Sequence, residues 1–575
     1  MKENRYWILL LFSLTACLLC VDTTTGRLSF HVFSAALLTT FLIGLLTSCI
    51  PNKLFRNVIQ IIVGECIICI CLVDCYCQLV FGSPVSPQII SNILFSNLRE
   101  MCEFISVFVG GNILRHWRLV ILVFLCLLFP FTLTHKWNIT VKLNKKLRIA
   151  EFTVLFICAI VEIPATKRYY SLFFNKHKTE NIEGLIFRHY HEDKQTPLHR
   201  FAFACYALSK SSDDLAGIKH STLSACIDGC SFTSPHIVLI IGESYNKHHS
   251  SLYGYRLPTA TLQQIRMDKG ELFLFNDAVT PWNITSNVFV NMFSLWENGK
   301  TGNIRYYPMF PILFRRAGYN VSFFSNQYNL KGLKKGSTNQ MGHFFLADSK
   351  FSDLLFSFRN KRPGNFDMGL VNQVESFRKE KRNIDYSLDI IHLIGQHFDY
   401  SGRYPTDQSF FTTDDYSQKQ LDDEVKQVVM HYDNATRYND IVMDRILTMY
   451  EEEDAVVVFV SDHGEEVYDD LPVQGRLFQD PTALQAKNEY EVPMWIWCSD
   501  SYRNNHPDIV GAIRESTDKP FLTDGIPQIL LYLAGIECAW TDESRNLLSD
   551  KYQCKPRIID GDTDYDLLMG PGVKR

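Results

Sequence analysis

The first 165 residues form an almost continuous series of apolar runs, whereas residues 166–575 read as a mixed α/β chain. A helix needs about 20 apolar residues to cross a bilayer, because each residue adds only about 1.5 Å along its axis. Backbone groups inside lipid must satisfy one another, so such runs are expected to be helices. The sequence predicts five transmembrane helices, at roughly 6–23, 29–50, 57–81, 117–134 and 149–165.

The basic residues beside these runs predict their orientation. Most lie before the first span, between the second and third, and between the fourth and fifth: Lys2, Arg5, Lys53, Arg56, Lys142, Lys145, Lys146 and Arg148. The positive-inside rule therefore places the N-terminus in the cytoplasm, although Arg115 and Arg118 run against the trend. A cleaved lipoprotein-like signal ending near Cys17 is an alternative, but the apolar run continues past it. Both interpretations place the chain after residue 165 outside the cytoplasm.

Residues 166–230 form a predicted connector in which aromatic residues are interleaved with lysine and arginine. This composition fits helices lying in the bilayer interface, and it fits ordinary helix packing beneath the next domain equally well. The net charge of -5, with no basic stripe, gives no indication of a nucleic-acid partner. Six cysteines follow residue 165, and in an oxidising compartment an even number indicates disulfides: Cys205, Cys226, Cys230, Cys498, Cys538 and Cys554.

Four short apolar runs in the external part are each followed by polar residues. The runs are at 236–241, 319–324, 388–394 and 455–460. Apolar strands that alternate with helical stretches indicate a mainly parallel sheet covered on both faces. In such sheets the functional groups collect at the carboxyl ends of the strands. The polar clusters after these runs are therefore the candidate site.

The strand ends bring together carboxylates and imidazoles, at Glu243, His397, Asp462 and His463. Two carboxylates and an imidazole are a reasonable shell for zinc, with the fourth position open to a hydroxyl nucleophile. Each signal is weak alone, because an Asp-His pair at a strand end is often only a hydrogen-bonded cap. Their succession on several strand ends favours a metal site.

With these residues in place, the sequence resembles the lipid A-type phosphoethanolamine transferases of the alkaline phosphatase and sulfatase superfamily. Residues 241–244 (Ile-Gly-Glu-Ser) and 251–255 (Ser-Leu-Tyr-Gly-Tyr) are nearly identical to a family segment. The glutamate of that segment is a zinc ligand in the family, which implies this role for Glu243. The family's metal-binding Asp-His pair is matched by Asp462 and His463. The resemblance covers nearly the whole chain.

The same resemblance implies the nucleophile. Residues 285–294 are similar to a family segment in which the nucleophilic threonine precedes Met-Phe-Ser by seven residues, and this spacing selects Thr285. The family's proline and cysteine before that methionine are replaced here by Val290 and Asn291. Thr280 is the alternative nucleophile.

Further substrate contacts are implied by shorter matches. His392 and His397, five residues apart and followed by Arg-Tyr-Pro, are similar to two substrate-side histidines, and Lys331 resembles a phosphate-binding lysine. A periplasmic helix near 85–105 resembles the family's donor-headgroup site, which implies contacts from Asn92, Ser96 and Glu100. Their spacing of four places these three residues on one helix face. An amphipathic interface helix is the structural alternative.

One departure from the family is informative. The family has a further histidine roughly ten residues after the Asp-His pair, whereas this chain has Gln474 and Arg476 in that stretch. The prediction is therefore one zinc site, with the second left open.

The predicted architecture is a multi-pass α-helical membrane domain at 1–165, the interfacial connector at 166–230, and a sulfatase/alkaline-phosphatase-like α/β periplasmic domain with a mainly parallel sheet at 231–575. The resemblance implies transfer of phosphoethanolamine from phosphatidylethanolamine in the inner membrane. The threonine would attack as a zinc-activated nucleophile and hold the group covalently. His397 would protonate the leaving alkoxide, and Lys331 with His392 would balance the phosphate charge. The acceptor would be lipid A, a core sugar or another envelope glycan.

Three other functions compete with this interpretation. A true sulfatase needs a formylglycine precursor followed by proline and arginine, which the residues after Thr285 do not provide. A lipoteichoic-acid-synthase-like enzyme would combine five spans and a threonine but transfer glycerol phosphate. A non-catalytic envelope sensor or scaffold on the same fold is the third.

Overall fold

The computed structural model describes residues 30–81, 85, 90, 149, 153–160, 197–300, 302–327, 349–381, 384–417, 421–477 and 481–570. The chain divides into two compact units. The first comprises Met1–Lys210 with Leu477–Gln479, and the second comprises Ser211–Arg476 with Asp480–Arg575.

Two long helices begin the described part of the first unit, α1 (Phe30–Ser48) and α2 (Lys53–Phe81). They overlap the predicted spans at 29–50 and 57–81. The predicted spans at 6–23 and 117–134 lie outside the described residues, and the span at 149–165 is described only at 149 and 153–160. Of the predicted donor-site helix near 85–105, Asn92, Ser96 and Glu100 lie outside the described residues. Within the described residues, the structure has no helix that combines the length and the apolar character needed to cross a membrane.

Asp74 is a buried carboxylate within α2. Arg200, near the start of α3 (Pro197–Ser224), donates from Nε to Asp74 Oδ1 over 3.0 Å and contacts Oδ2 through Nη2. The amide of Val85 also donates to Oδ1, over 3.0 Å. Because an unpaired buried charge is costly, this ion pair fixes the start of α3 against α2 within the first unit.

The end of α3 packs within the second unit. Ile218 is part of its apolar core, and the hydroxyl of Thr222 accepts a hydrogen bond from the amide of Met309 over 3.0 Å. The hydroxyl of Ser221 donates to the carbonyl of Tyr307 over 3.0 Å. This end of the predicted connector therefore packs as an ordinary helix.

In its described residues, the second unit is built around a seven-stranded sheet accompanied by four two-stranded pairs. In chain order the strands are β1 (Gly229–Cys230), β2 (His236–Gly242), β3 (Leu272–Phe275), β4 (Ala278–Val279), β5 (Asn320–Ser325), β6 (Phe358–Arg359), β7 (Ser387–His392), β8 (Ala455–Ser461), β9 (Glu466–Val467), β10 (Gln474–Gly475), β11 (Met494–Cys498), β12 (Phe521–Leu522), β13 (Ile536–Glu537), β14 (Ile558–Ile559) and β15 (Thr563–Asp564).

The large sheet has the order β3-β11-β8-β2-β7-β5-β6. Strands β8, β2, β7, β5 and β6 are parallel, whereas β11 runs antiparallel to both β8 and β3. The sheet is thus mixed, with parallel pairs in the majority. The carboxyl ends of β2, β5, β7 and β8 meet at one edge, as the sequence predicted for these runs.

Side chains of β2 alternate between the two faces of the sheet. Ile237, Leu239 and Ile241 belong to one apolar core, and Val238 and Ile240 belong to the other. Helices cover both faces, which explains why the central strands are apolar throughout. The further helices are α4 (Thr261–Asp268), α5 (Thr285–Phe293), α6 (Pro311–Ala317), α7 (Ser349–Leu355), α8 (Asp367–Glu380), α9 (Asp423–Thr448), α10 (Ala483–Glu489), α11 (Asp500–Asn505), α12 (Pro507–Glu515), α13 (Ile526–Ala534) and α14 (Tyr565–Met569).

The six cysteines after residue 165 have free thiols, so the disulfides expected among them are wrong for this structure. Cys498 is buried in β11 as part of an apolar core, and burial raises the pKa of its thiol. Cys226 and Cys554 are exposed instead. The even number of cysteines was a misleading signal: Cys498 and Cys538 are buried and serve as small apolar side chains, and the other four are free thiols at exposed or partly exposed positions.

Candidate metal and nucleophile site

Glu243 follows β2 directly and is fully buried. The next residue, Ser244, has a left-handed backbone with φ 56°, which turns the chain sharply at the strand end. This turn is fixed because the Ser244 amide donates to Asp462 Oδ1 over 3.1 Å and its carbonyl accepts from the Tyr432 hydroxyl over 2.6 Å. Gln327 lies just after β5, and its side-chain amide donates from Nε2 to Glu243 Oε2 over 2.6 Å. The glutamate is therefore held in one orientation.

Asp462 and His463 follow β8, the parallel neighbour of β2, and both are fully buried. Asp462 Oδ1 accepts from the amides of Ser244 and His463, whereas Asp462 Oδ2 has no hydrogen bond among the described residues. That oxygen lies 3.2 Å from His463 Nε2, which in turn lies 3.3 Å from Glu243 Oε1. One ligand atom each from Glu243, Asp462 and His463 lies within 4.8 Å of the others.

The hydrogen bonding of His463 selects its tautomer. Its Nδ1 lies 2.8 Å from the carbonyl of Gly464, which can only accept, so Nδ1 carries the proton. The lone pair of Nε2 therefore faces Glu243 and Asp462. Burial and the charge of Arg476 lower the pKa of His463, which favours the neutral, metal-binding form.

Thr285 is the first residue of α5. Its Oγ1 lies 3.2 Å and 3.1 Å from the two carboxylate oxygens of Glu243, and 3.2 Å from His463 Nε2. The amides at the start of a helix favour negative charge nearby. The hydroxyl predicted as the nucleophile thus lies among the predicted metal ligands, in direct contact with Glu243 and His463.

Thr280, the alternative nucleophile, has a different contact. Its Oγ1 donates to the backbone carbonyl of Asp462 over 2.6 Å. This hydrogen bond gives Thr280 a role in holding the loop after β8, and the geometry favours Thr285 as the nucleophile.

The two carboxylates have opposite electrostatic surroundings. Burial opposes the charge on Glu243, but its contacts with His392 and His463 outweigh burial and hold its pKa well below the usual value. Burial and the charge of Glu243 raise the pKa of Asp462 well above its usual value. A divalent cation between the two would relieve this repulsion. With the buried Asp462 oxygen that lacks a hydrogen bond, the donor set of two carboxylates, one imidazole and one hydroxyl fits zinc.

The two predicted substrate-side histidines lie near this cluster in different ways. His392 is the last residue of β7, and its Nε2 lies 3.8 Å from Glu243 Oε2. His397 lies in the following turn, which is attached to Glu243 because the amide of Gln396 donates to the Glu243 carbonyl over 3.0 Å. Burial lowers the pKa of His397 to about 3, so its imidazole is neutral at pH 7. Lys331 lies outside the described residues.

Asp367 holds this turn, a role that sequence analysis did not identify. Its carboxylate accepts from the amides of Ile394 and Gly395, both over 2.9 Å. Gly395 has φ 47°, and a Cβ there would lie 2.7 Å from the carbonyl oxygen of Glu243. The close approach of the turn to Glu243 therefore requires a glycine.

Gln474 and Arg476 lie in the stretch where the resembled family has a further histidine. Of these two residues, Arg476 contacts the site. Its Nη1 contacts His463 Nε2, and its Nε lies 3.4 Å from Glu465 Oε2. Gln474 lies in β10, paired with Val467 of β9. The described residues contain one group of potential metal ligands, Glu243 with Asp462 and His463.

The chain is similar to several known proteins. A family model described as sulfatase matches residues 235–532. The phosphoethanolamine transferase EptC of Escherichia coli O18:K1:H7 is 26% identical over 344 residues, which are 58% of this chain and 57% of that protein. The chain thus matches a little over half the length of this curated relative.

Two solved structures share the fold. The C-terminal periplasmic domain of EptC from Escherichia coli, in complex with zinc, is 25% identical with a TM-score of 0.50, covering 58% of this chain and 94% of that one. The integral membrane protein lipooligosaccharide phosphoethanolamine transferase A from Neisseria meningitidis has a TM-score of 0.63 at 16% identity. That match covers 95% of this chain and 98% of the other.

Proposed function

This chain belongs to the sulfatase family, and from that premise we propose that it is a zinc-dependent phosphoethanolamine transferase of the bacterial envelope. One observation supports the proposal most strongly. Thr285 Oγ1 lies within 3.2 Å of Glu243 and of His463 Nε2, where a hydroxyl nucleophile and a metal shell would have to meet. The curated relative and both similar structures are named as phosphoethanolamine transferases or their domains.

Zinc would be held by Glu243, Asp462, His463 and the hydroxyl of Thr285. When bound there, zinc would lower the pKa of the threonine hydroxyl and so supply a stronger nucleophile at neutral pH. The protein contributes the orientation: Gln327 fixes Glu243, and the carbonyl of Gly464 fixes the tautomer of His463.

The reaction proceeds as two displacements at phosphorus. In the first, Thr285 Oγ forms a bond to the phosphorus of phosphatidylethanolamine while the bond to the diacylglycerol oxygen breaks. The diacylglycerol alkoxide takes up the proton that the threonine lost, so the step is balanced. In the second, an acceptor oxygen bonds to the phosphorus, its proton is released, and Thr285 regains its hydroxyl.

His392 and His397 act on the substrate side of this site. His392 lies beside Glu243, where a neighbouring imidazole can hydrogen-bond a phosphoryl oxygen. His397 is neutral at pH 7, so it first accepts a proton and then donates it. In the first displacement it passes the threonine proton to the diacylglycerol oxygen, and in the second it passes the acceptor proton to Thr285 Oγ. Lys331 remains a predicted phosphate ligand.

We assign the membrane placement from the sequence. The apolar residues 1–165 would anchor the chain in the inner membrane as five helices, with the N-terminus in the cytoplasm and residues 231–575 in the periplasm. Asn92, Ser96 and Glu100 would bind the donor headgroup there. Lipid A, a core sugar or another envelope glycan would be the acceptor, since donor and acceptor then share one membrane surface.

Mass spectrometry of lipid A and core sugars tests the transfer. Cells with the wild-type chain should add phosphoethanolamine, and Thr285→Ala should lower the transfer about a thousandfold or more, because it removes the nucleophile. Thr285→Ser keeps a hydroxyl and should retain part of the activity. With the acceptor withheld, the peptide containing Thr285 should carry phosphoethanolamine.

The outcomes separate the competing functions. Glycerol phosphate on the product or on Thr285 would support the lipoteichoic-acid-synthase-like alternative. Glycolipids that are identical in wild-type and Thr285→Ala cells, with no modified Thr285 peptide, would support a non-catalytic scaffold.

A further inference from the structure

Arg476 places a partly buried positive charge beside the nucleophile, with 13% of its side chain exposed. The residue follows β10 directly, and its Nη1 contacts His463 Nε2. Thr285 Oγ1 lies 3.2 Å from that same nitrogen. A guanidinium and the nucleophilic hydroxyl therefore flank one imidazole atom. A phosphoryl group bonded to Thr285 would have its free oxygens within hydrogen-bonding reach of the arginine.

The surrounding groups hold this arginine without using all of its donors. Nε lies 3.4 Å from Glu465 Oε2, and Nη1 lies 3.4 Å from the carbonyl of Asn283. Within the described part of the chain, Nη2 makes no hydrogen bond. A guanidinium has five N–H donors in a planar fork. Arg476 thus has unused donors at the position where phosphate charge would develop.

We propose that Arg476 is a substrate-binding residue that donates to the non-bridging phosphate oxygens of the group transferred to and from Thr285. The inference rests on the proposed function and adds a phosphate ligand to it. Arginine suits the role because its fork matches two oxygens of one phosphate and keeps its charge when buried. Charge that develops on those oxygens in the transition state is then stabilised by a group already in place.

The contact between Arg476 and His463 allows a phosphate-binding role to be separated from a structural role. The two roles predict different effects on zinc binding when the arginine is removed. One lone pair on Nε2 cannot serve both the guanidinium and a zinc ion. If zinc were bound through that lone pair, the guanidinium would lose its contact with the imidazole and would keep its contact with Glu465. Removing the arginine should therefore leave zinc binding intact or tighter, and weaken phosphate binding.

The test uses the full-length chain in detergent, loaded with zinc, and measures binding of O-phosphoethanolamine and of inorganic phosphate by calorimetry. Arg476→Gln should weaken both by at least about tenfold, as loss of a charge-assisted hydrogen bond predicts. Arg476→Lys keeps the charge but loses the fork, and should fall between Arg476→Gln and wild type. Zinc content and the melting temperature should match those of wild type.

Arg437→Gln is the matched control. Arg437 stacks on the ring of Phe410, 3.9 Å from its centroid, and donates to the carbonyl of Pro258, so it has no part in the site. Its variant should bind both ligands as wild type does.

Two results would overturn the inference. The first is unchanged ligand binding in Arg476→Gln, and the second is loss of zinc together with ligand, which would make Arg476 a structural support of the metal site. Failure of the proposed function would be seen separately, as a wild-type chain that binds phosphate through Arg476 but neither modifies Thr285 nor transfers the group.

Discussion

The metal-binding lone pair of His463 depends on the absence of a side chain at the next residue. A Cβ on Gly464 would lie 2.1 Å from the carbonyl oxygen of Asn488, a backbone atom that cannot rotate away. Gly464→Ala should therefore displace the loop after β8 and move His463. We expect zinc content to fall, with metal affinity weakened about 10- to 100-fold, as when the supports of a metal ligand are removed.

Gly511→Ala provides the matched control, because a Cβ at this position in α12 would meet no atom within 4 Å. It should retain full zinc and be slightly more stable, since alanine favours a helix over glycine. Zinc per chain is measured by elemental mass spectrometry on purified protein. Equal zinc content in Gly464→Ala and Gly511→Ala would contradict the proposed dependence.

For individual site residues, the sequence indicated which residue types lie at the strand ends, but it did not indicate the directions of their side chains. Glu243, Asp462 and His463 were predicted because parallel strands deliver their ends to one edge of the sheet. Gln327 also lies at such an end, but nothing in the sequence shows that its amide turns toward Glu243. The contact of Arg476 with His463 depends on packing of the β9–β10 hairpin, which periodicity does not specify.

Among the elements, the β9–β10 hairpin is attached to the rest of the second unit by a buried cluster. His249 contacts Asp433 of α9 through Nδ1 over 2.5 Å and Asp469 of the hairpin loop through Nε2 over 2.8 Å. Tyr255 and Tyr416 both donate to the other oxygen of Asp433. This cluster fixes the loop that leads to Arg476.

The cluster predicts a specific pH dependence. Burial alone would lower the pKa of His249, but the charges of Asp469 and Asp433 outweigh burial and raise it to about 10. Since the unfolded value is about 6.5, the stabilisation is complete below pH 6.5 and is lost as the pH rises toward 10. The melting temperature of the wild type should therefore fall between pH 7 and pH 10, and Asp469→Asn should flatten that fall.

Asp470→Asn tests whether the effect is specific. Asp470 is the adjacent carboxylate in the same loop, but it pairs with Lys487 over 2.8 Å and with Asn488 rather than with His249. Its variant should retain the wild-type slope of melting temperature against pH. A slope that Asp470→Asn flattens as much as Asp469→Asn does would refute the assignment to His249.

The sequence predicted the central strands of the large sheet, but it did not predict the antiparallel strand pairing at the end formed by β11 and β3. The apolar runs at 236–241 and 455–460 became β2 and β8 within one residue at each end. The antiparallel position of β11 beside β3 could not be predicted, because pairing between distant segments is set by tertiary contacts rather than by local pattern. For the same reason, the cysteine count predicted disulfides among residues whose thiols are free in the structure.

For the whole molecule, the proposed reaction requires the second unit to lie on a particular side of the membrane. A transferase whose donor is a phospholipid must place Thr285 on the side of the membrane where its acceptor lies. The basic residues beside the apolar runs predict that the second unit is periplasmic. The free, exposed thiols of Cys226 and Cys554 report on this placement, because both belong to the second unit.

A charged maleimide that does not cross the inner membrane should label Cys226 and Cys554 in intact cells, as measured by peptide mass spectrometry of the full-length protein. Cys498 controls for accessibility: it is buried in β11 and should react only after denaturation, whichever side of the membrane the unit occupies. Labelling of Cys226 and Cys554 only after the inner membrane is permeabilised would place the unit in the cytoplasm. Thr285 would then face neither an external lipid donor nor an envelope glycan, and the proposed transfer would lose its substrates.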